Sequence, residues 1–305
     1  MMKAGIQKDK AGSDMDFQNT YTTYKPLLQS IAYRLLGSIA DAEDIVQDVF
    51  TDYSRLDTKD ISNEKAYLIR MATNRCLNLM QSARKKREVY TGHWLPEPDV
   101  SMVRHDPAEL YDLNETLSYA LLVTLEQLSA VERAVFILRE SLQYDYREIA
   151  ACLQKSEANC RKIYSRAKEK LHKEGELLPV NSDKAEPLVA AFIEAARSGD
   201  FNAVIDLLTQ DAVLVSDGGG KVRAAIFSIL GRERVLAFLQ GIIPKGFLGD
   251  GYRLADINGQ TGIILMEDGQ PKSVVSFQLD ERQQQIERIF VMLNPDKLGH
   301  VPHEV

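Results

Sequence analysis

The stretch LQYDYREIAACLQKSEANCRKIYSRAKEKL, residues 142–171, predicts two short helices joined by a tight turn. Asp145 is placed to cap a first helix over Tyr146–Leu153, and Ser156 is placed to cap a second helix after a turn at 154–155. The apolar positions at helical spacing are Ile149, Ala150, Leu153, Cys160, Ile163, Ala167 and Leu171. The pattern is typical of a helix-turn-helix, although the turn lacks the usual glycine.

The outer face of the second helix carries polar and basic side chains. In a helix-turn-helix, the first outer residues of the second helix contact base edges, and cations farther along contact phosphates. The candidate DNA-contacting residues are Ser156, Asn159, Arg161, Lys162, Ser165 and Arg166. An ordinary helical hairpin would also present a solvated basic face, so the spacing alone leaves both interpretations open.

The net charge of −7 conceals two basic segments. Residues 70–87 contain six basic residues and no acid, and residues 155–173 contain seven basic residues and two acids. From residue 181 onward there are twelve Lys and Arg against seventeen Asp and Glu. Local basic clusters attract phosphates more than whole-chain charge does. The pattern therefore predicts nucleic-acid contacts in the first 175 residues, followed by an acidic module.

Composition restricts the class of protein. A length of 305 residues predicts about two domains, and 45% hydrophobic with 27% charged residues excludes collagen-like, low-complexity and globally disordered chains. The polar N-terminus and the lack of a long apolar run argue against a signal peptide or a membrane span. Three cysteines without a CxxC pair argue against a disulfide framework or a zinc site. We expect a soluble, cytoplasmic bacterial protein that needs no metal.

Breaks in the helical pattern divide the chain into segments. Residues 1–15 are expected to form a flexible tail, and helical spacing runs over about 17–86. A glycine and three prolines interrupt it over 88–108, which predicts an extended linker. Helices are expected again as far as residue 178, and a second break lies at 179–187.

The remainder has the pattern of an α+β domain. Helical stretches at about 186–198 and 200–208 precede an apolar strand at 211–216. After the turn Asp217–Gly220, the run VRAAIFSI at 222–229 is predicted to be a strand, so the glycine-rich segment would be a hairpin turn. A helix near 232–241 and the strands YRLADI, TGIILME, SVVSFQL and IERIFVML follow, with hairpin signals at Asn258-Gly259 and Asp268-Gly269.

An acidic amphipathic helix is predicted over Asp41–Phe50, with the sequence DAEDIVQDVF. Its buried face would consist of Ala42, Ile45, Val46, Val49 and Phe50, and its outer face of Asp41, Glu43, Asp44, Gln47 and Asp48. Acids in a first turn interact favourably with the helix dipole, so a solvated helix start is one interpretation. A docking face for a basic partner is the other.

A second polar surface is predicted on a helix over Ala66–Arg87. The residues off its apolar stripe include Asn74, Arg75, Asn78, Gln81, Arg84 and Lys85. Amides beside cations suit exposed bases and backbone phosphates. Basic residues at a helix C-terminus also interact favourably with the dipole, which is the alternative explanation.

Taken together, these segments resemble a known family. The order of the DAEDIVQDVF helix, the helix AYLIRMATNRCLNLMQSARKKR, a linker and a helix-turn-helix ending in SRAKEKL is similar to that of sigma-70-type RNA polymerase sigma factors. With only regions 2 and 4 over residues 16–175, the resemblance is to the extracytoplasmic-function group. WLPEP at 94–98, DGGGK at 217–221 and NPDKL at 294–298 resemble signatures of a subgroup with a fused SnoaL-like C-terminal domain.

The resemblance implies a multidomain fold. Two all-α helical sigma domains, the region 2 bundle and the region 4 helix-turn-helix, would be followed by an α+β SnoaL-like cone-shaped barrel. The implied boundaries are a tail at 1–15, region 2 at 16–88, a linker at 89–114, region 4 at 115–178, the SnoaL-like domain at 184–299 and a tail at 300–305.

The resemblance also implies an alternative sigma factor that recruits core RNA polymerase to promoters, initiates transcription and is regulated by its own C-terminal domain. The Asp41–Phe50 helix would dock on the β′ coiled coil, and region 4 on the β flap. Asn74, Arg75, Asn78, Gln81, Arg84 and Lys85 would read the −10 element, and the outer residues of the second helix of the helix-turn-helix would read the −35 element. Asn78 and Gln81 stand where the family often has Asp and Arg, and the subgroup suggests a TGTCACA-like −35 with a CGTC-like −10.

The three pentapeptides are implied to form a regulatory contact between the domains. Its candidate residues are Trp94, Pro96, Asp217, Gly218, Gly219, Gly220, Lys221, Asn294, Pro295, Asp296 and Lys297. We expect the glycine-rich segment to touch the helical half near the WLPEP linker, where Trp94 offers an apolar anchor. The glycines lack P-loop spacing, so phosphate binding is not favoured.

Two other functions compete with the sigma factor. One is a helix-turn-helix regulator with a ligand-sensing domain, and the other is a SnoaL-like enzyme with a helical adaptor. Such enzymes commonly use an Asp–His pair, and no histidine lies between His172 and His300, so we expect neither catalysis nor a cofactor. The expected partners are core polymerase and promoter DNA, with a small molecule in the C-terminal pocket as a further candidate, and the free protein is expected to be a monomer.

Overall fold

The computed structural model describes the backbone of residues 3–57, 61–87, 90–101, 118–172, 182–282 and 284–303, and the side chains of these residues except 3–16, 83–87, 101 and 182–184. The chain divides into two compact units. The helical unit comprises Met1–Ala83 and Ser129–Ala167, and the sheet unit comprises Arg84–Leu128 and Lys168–Val305.

Ten α-helices and seven strands lie in the described parts of the chain. The helices are α1 (Lys3–Leu36), α2 (Ile39–Tyr53), α3 (Glu64–Arg87), α4 (Tyr119–Leu125), α5 (Ala130–Glu140), α6 (Tyr146–Leu153), α7 (Glu157–His172), α8 (Ser182–Ser198), α9 (Phe201–Asp206) and α10 (Arg232–Ile242). The strands are β1 (Val100–Ser101), β2 (Leu208–Asp217), β3 (Ile229–Leu230), β4 (Gly251–Ile257), β5 (Gln260–Glu267), β6 (Gln270–Leu279) and β7 (Ile286–Met292). The multidomain class, helical domains followed by an α+β domain, is thereby confirmed.

The helical unit is built around the packing of α1 against α2. Leu28 and Ile31 of α1 are fully buried, as are Val46 and Val49 of α2, because each helix carries one continuous apolar stripe. Helix α5 is attached to α1 through Arg133, whose guanidinium is buried and donates to the Leu35 carbonyl oxygen at 2.9 Å. The last carbonyl oxygens of a helix have no hydrogen-bond donor within the helix. The buried guanidinium of Arg133 supplies that donor for the Leu35 carbonyl oxygen at the end of α1.

The N-terminal tail that was expected to be flexible at 1–15 is helical from Lys3 onward. The segment contains no proline and several good helix formers, so the backbone of α1 can continue backward from its packed part. The burial that holds α1 in place begins at about Thr20.

The sheet unit contains one sheet with the strand order β1-β4-β5-β6-β7-β2-β3. Strands β4 to β7 form an antiparallel meander, and β2 pairs in parallel with β7. Asn258-Gly259 and Asp268-Gly269 both have positive φ at their two residues, which is the type I′ geometry that the sequence predicts for these hairpins.

Both faces of this sheet are buried. On one face, α8, α9 and α10 enclose an apolar cluster that includes Phe192, Leu239 and Phe277. On the other face, Phe290 and Met292 lie in a second cluster, which is completed by Leu95, Tyr119, Ala120, Leu298 and Val301. Residues before α4, helix α4 itself and the C-terminal end of the chain therefore cover the second face.

Two expected boundaries change as a result. The predicted linker begins inside the sheet unit, because Val100 and Ser101 form β1 and pair with β4; residues 102–117 lie outside the described chain. The predicted tail at 300–305 is anchored by Val301, which is buried, and by His300, whose Nε2 lies 2.6 Å from the Pro98 carbonyl oxygen. Tertiary contacts with the sheet fix both segments, and a local sequence pattern cannot show such contacts.

The run at 222–229 was expected to be a strand, and this prediction is wrong. Only Ile229–Leu230 pairs with β2, and the preceding residues form a loop in which Ala225 N donates to Ser216 Oγ at 2.9 Å. The apolar residues of this run favoured a strand, but residues 222–228 pair with no strand in the part of the chain that the structure describes. Among the described helices, none is long and apolar enough to cross a membrane.

Candidate functional site

The helix-turn-helix has the caps that its sequence predicts. Asp145 accepts from Glu148 N at 2.8 Å while Glu148 accepts from Asp145 N at 2.8 Å, so α6 begins with a reciprocal capping box. Gln154 adopts the left-handed conformation that ends α6 (φ 54°), and Ser156 Oγ accepts from Asn159 N at 3.3 Å to cap α7. The glycine usual at this turn is replaced by Gln154, which has the left-handed backbone itself.

The outer face of α7 is open to solvent. Cys160 and Ala167 are fully buried and Leu171 nearly so, which fixes the direction of the opposite face. Exposed side chains on that face are those of Ser156, Asn159, Arg161, Lys162, Ser165 and Arg166. Their contacts with DNA stay a prediction.

The side chain of Arg161 is held by contacts that were not predicted from the sequence. Its guanidinium lies 4.7 Å from the ring centroid of Tyr146, and the guanidinium of Arg139 lies 5.0 Å from the same ring. Glu157 forms an ion pair with Arg161 at 3.6 Å. The cation–π contact restricts the arginine side chain, and the ion pair with Glu157 engages one nitrogen of its guanidinium. The sequence signal for this contact was a tyrosine at the first position of α6 together with an arginine in the first turns of α7.

The acidic face of α2 is also exposed. Side chains open to solvent are those of Asp41, Glu43, Asp44, Gln47 and Asp48, and the opposite apolar face is buried. Ser38 Oγ accepts from Asp41 N at 3.2 Å and caps the helix. The arrangement presents a row of carboxylates whose proposed partner is a basic surface.

Two predicted contact residues of the helical unit bind each other. Arg75 Nη1 lies 3.2 Å from Asp48 Oδ2, and its Nη2 also pairs with Asp52. Arg75 was expected to contact DNA and Asp48 to contact polymerase, but their ion pair engages both. Asn74 is half-buried, and Asn78 and Gln81 are exposed on α3. Arg84 and Lys85 lie outside the residues whose side chains the structure describes.

In the sheet unit, the three pentapeptides meet at one buried carboxylate. Asp217 is fully buried and accepts from four donors. Oδ2 accepts from Leu95 N at 2.9 Å and from Lys297 Nζ at 2.9 Å. Oδ1 accepts from the Tyr90 hydroxyl at 2.6 Å and from Gly219 N at 2.9 Å. Four donors satisfy an ionised carboxylate that burial alone would penalise.

Lys297 is the cation of this cluster. Its Nζ also donates to the Leu95 carbonyl oxygen at 2.5 Å and lies 4.0 Å from the ring centroid of Trp94. Trp94 therefore contributes a cation–π contact, whereas a purely apolar anchor was expected. Pro96 is buried, and its carbonyl oxygen accepts from the Tyr119 hydroxyl at 2.7 Å.

The glycines of DGGGK are required by close approach. Gly219 has φ +63°, and a Cβ there would lie 2.5 Å from the Asn294 side chain. A Cβ on Gly218 would lie 2.4 Å from the Val222 carbonyl oxygen, while Gly220 has φ +71°. The remaining charged residue of this motif, Lys221, forms an exposed ion pair with Asp296 at 2.6 Å.

Asn294 and Tyr90 complete the contact. Asn294 Nδ2 donates to the Tyr90 hydroxyl at 3.0 Å, and Asn294 Oδ1 accepts from Asp296 N at 3.1 Å, which caps the short turn Pro295–Lys297. Burial and the neighbouring Asp217 carboxylate raise the pKa of Tyr90, so it stays a neutral donor. Tyr90 was not predicted as a contact residue, because it precedes the WLPEP motif and belongs to none of the three pentapeptides.

A cavity of about 560 Å³ lies in the helical unit between α3 and α6. Tyr67 and Arg70 of α3 line it on one side, and Glu148 and Cys152 of α6 line it on the other. Burial raises the pKa of the Cys152 thiol to about 11, so this cysteine is a protonated packing residue. This is not the C-terminal pocket that the sequence resemblance implies.

Comparisons with known proteins agree with the helical regions and the sheet domain described above. Two family profiles match the chain, Sigma-70 region 2 over residues 20–86 and Sigma-70 region 4 over residues 118–171. The ECF RNA polymerase sigma factor SigJ of Mycobacterium tuberculosis is 34% identical over 240 residues, which span 77% of this chain and 76% of that protein. The probable ECF RNA polymerase sigma factor SigI of the same species is 31% identical over 62% of this chain and 65% of its own length.

A solved structure is similar over almost the whole chain. The crystal structure of Mycobacterium tuberculosis SigJ matches with a TM-score of 0.76 and 27% identity, and the match covers 93% of this chain and 99% of that chain. Both the helical regions and the C-terminal sheet domain are therefore included in the similarity. The chain belongs to the extracytoplasmic-function (ECF) family of RNA polymerase sigma factors.

Proposed function

We propose that this sigma factor is regulated through the buried contact of Asp217 with Lys297 and with the backbone of Leu95. This contact is the observation that carries the proposal, because it attaches the segment after region 2 to the C-terminal sheet domain. A tethered domain acts at high effective concentration, so even a modest contact can control the segment that it holds.

Helix α4 extends this control to region 4. It lies within the match to region 4, yet it packs in the sheet unit, where the ring centroids of Tyr119 and Phe290 are 5.7 Å apart. The C-terminal domain therefore holds the first helix of the region whose later helices would read the −35 element. Such a connection supports a regulatory role better than a passive appendage.

Core polymerase is proposed to bind the acidic face of α2. Five exposed polar side chains lie opposite a buried apolar face, and Asp48 of this set also pairs with Arg75. A basic coiled coil, such as the one on the β′ subunit that the resemblance implies, is the complementary surface. The β flap is the corresponding partner proposed for region 4.

Promoter reading is assigned to α7 and α3. Arg161 and its polar neighbours on α7 suit base edges of a −35 element, and Asn78 and Gln81 on α3 suit bases of a −10 element. Strand separation by capture of unstacked bases needs no covalent catalysis. We assign the C-terminal domain a regulatory role and no catalytic one, and we assign the whole protein to the bacterial cytoplasm.

Run-off transcription with purified core polymerase tests this proposal. We expect specific transcripts from the full-length chain without any other sigma factor. Lys297→Met should raise the yield about threefold and make residues 90–101 more sensitive to protease, because the contact is released. Lys221→Met is the matched control, since its ion pair is exposed and worth less than about 1 kcal/mol. Equal yields and equal proteolysis for both variants would contradict the regulatory contact.

A further inference from the structure

The loop between β2 and β3 exposes an unusual amount of apolar surface. Six large apolar side chains are exposed among the described residues, and four of them fall within the nine consecutive positions 222–230. They are Val222 (41% exposed), Ile226 (57%), Phe227 (81%) and Leu230 (57%). Single exposed apolar residues need no explanation, but a cluster of this kind marks an interaction site. These four residues are called the 222–230 patch below.

The exposure is built into the fold. Val222 N donates to the Gly218 carbonyl oxygen at 3.1 Å, and Ala225 N donates to Ser216 Oγ at 2.9 Å. At its far end the loop enters β3, where Ile229 and Leu230 pair with β2. Since the backbone is fixed on both sides of Ile226 and Phe227, these side chains are held outward.

The patch adjoins the segment that follows region 2. Ser228 Oγ lies 3.1 Å from His93 Nε2, and a Cβ on Gly92 would lie 3.7 Å from the Ile226 Cα atom. The patch is therefore continuous with residues 91–93, which lie in sequence between the two regions proposed to bind core polymerase.

The charge around the patch is opposite to that of the surrounding domain. Residues 221–234 contain four basic residues and one acid, whereas the chain from residue 181 onward has more acids than bases. Lys221 and Arg232 have ion-pair partners. Arg223 and Arg234 are exposed, and neither has an acidic partner among the side chains that the structure describes. An occupant of the patch should therefore present apolar and acidic side chains.

We infer that the 222–230 patch docks on core RNA polymerase, on a surface that is apolar and acidic. The inference rests on the proposed function, since it takes regions 2 and 4 to be anchored on core polymerase. The intervening segment must then follow the core surface, and the patch lies directly beside that segment. Apolar side chains at the centre of the contact and arginines at its rim are the usual composition of a protein interface.

The test measures the affinity of the full-length chain for purified core polymerase. Ile226→Asp/Phe227→Asp should raise the dissociation constant at least tenfold, and Arg223→Glu/Arg234→Glu should raise it several-fold in a salt-dependent manner. Leu254→Asp is the control, because Leu254 is an exposed apolar residue outside the loop, and it should change the constant less than twofold. Thermal unfolding establishes that each variant is folded, and backbone amides of 222–230 should gain protection from hydrogen exchange in the holoenzyme.

Several outcomes would overturn the inference. Unchanged affinity in both patch variants would do so, as would unprotected amides of 222–230 in the holoenzyme. A dimer of the free chain that Ile226→Asp/Phe227→Asp abolishes would assign the patch to a second copy. Loss of core binding in Asp44→Lys/Asp48→Lys, together with normal binding of the patch variants, would leave the proposed function intact and remove only this inference. Normal binding of Asp44→Lys/Asp48→Lys would instead remove the proposed role of α2.

Discussion

Asp217 shows how a buried charged residue can hold several chain segments in one fixed contact. Its two oxygens accept from a lysine, a tyrosine and two backbone amides, so no lone pair faces an apolar wall without a donor. A buried ion pair adds little to stability compared with an apolar pair, but removing one partner leaves the other charge stranded. The contact therefore resists small perturbations and fails when either partner is lost.

Asp217→Asn should destabilise the sheet unit by about 3–5 kcal/mol, because it leaves the Lys297 ammonium buried without an anion. Urea denaturation followed by circular dichroism measures the change. Asp296→Asn is the matched control, since Asp296 pairs with Lys221 at the surface and should cost less than about 1 kcal/mol. Equal midpoints for the two variants would show that the buried pair has no special role.

Arg161 and Lys168, an exposed cation farther along α7, test the division of this helix into a base reader and a phosphate anchor. Arg161→Ala should cost about 1–3 kcal/mol and relax the preference at one −35 base pair. Lys168→Ala should weaken all promoters similarly and reduce the slope of binding against salt concentration by about one. Holoenzyme binding to a set of single-base −35 variants distinguishes the two. Parallel behaviour of both mutants across that set would contradict the division.

Among the helices and strands, the sequence predicts those whose bounds are determined by local periodicity and by caps. Helix α6 has its predicted bounds, α10 begins at the predicted residue, and the two Asn-Gly and Asp-Gly hairpins are present. Segments whose structure depends on a distant partner are missed. Residues 222–228 are mostly apolar like a strand but pair with no described strand, whereas β1 pairs with β4 across about 150 residues of sequence. The same reason hides Tyr90, whose partners lie far along the chain.

Charge reversal on α2 tests its proposed docking role. Asp44→Lys/Asp48→Lys should weaken core-polymerase binding severely, because cations would face a basic partner and like charges across an interface cost several kcal/mol. Asp48 also pairs with Arg75, but an exposed pair is worth at most about 1 kcal/mol, so the helical unit should stay folded. Pull-down of core enzyme by the folded variant measures the effect. Glu186→Lys on α8 is the control, and equal capture by both variants would remove the docking role of α2.

For the whole molecule, the sheet unit shows that the C-terminal domain is more than the part expected at 184–299. Its second face is closed by Leu95, Tyr119 and Ala120, which precede most of region 4 in sequence, and by Val301 near the end of the chain. A cut at the apparent domain boundary would therefore expose apolar surface on both fragments. Residues 90–101 and α4, which the sequence pattern places in the linker and in region 4, therefore belong to the sheet unit.

Two truncations distinguish inhibition from support. Removing the chain from Asn294 onward deletes Lys297 and releases the linker while most of the sheet remains, so transcription should rise about threefold. Removing everything after Pro179 uncovers Leu95 and Tyr119 and deprives α4 of the sheet on which it packs, so transcription should be abolished or strongly impaired. Run-off transcription of the two truncated proteins beside the full-length chain measures both effects, with soluble yield as the check on folding. If the protein that ends at Pro179 is more active than the full-length protein, the domain only inhibits. If all three proteins have the same activity, the domain does not regulate transcription.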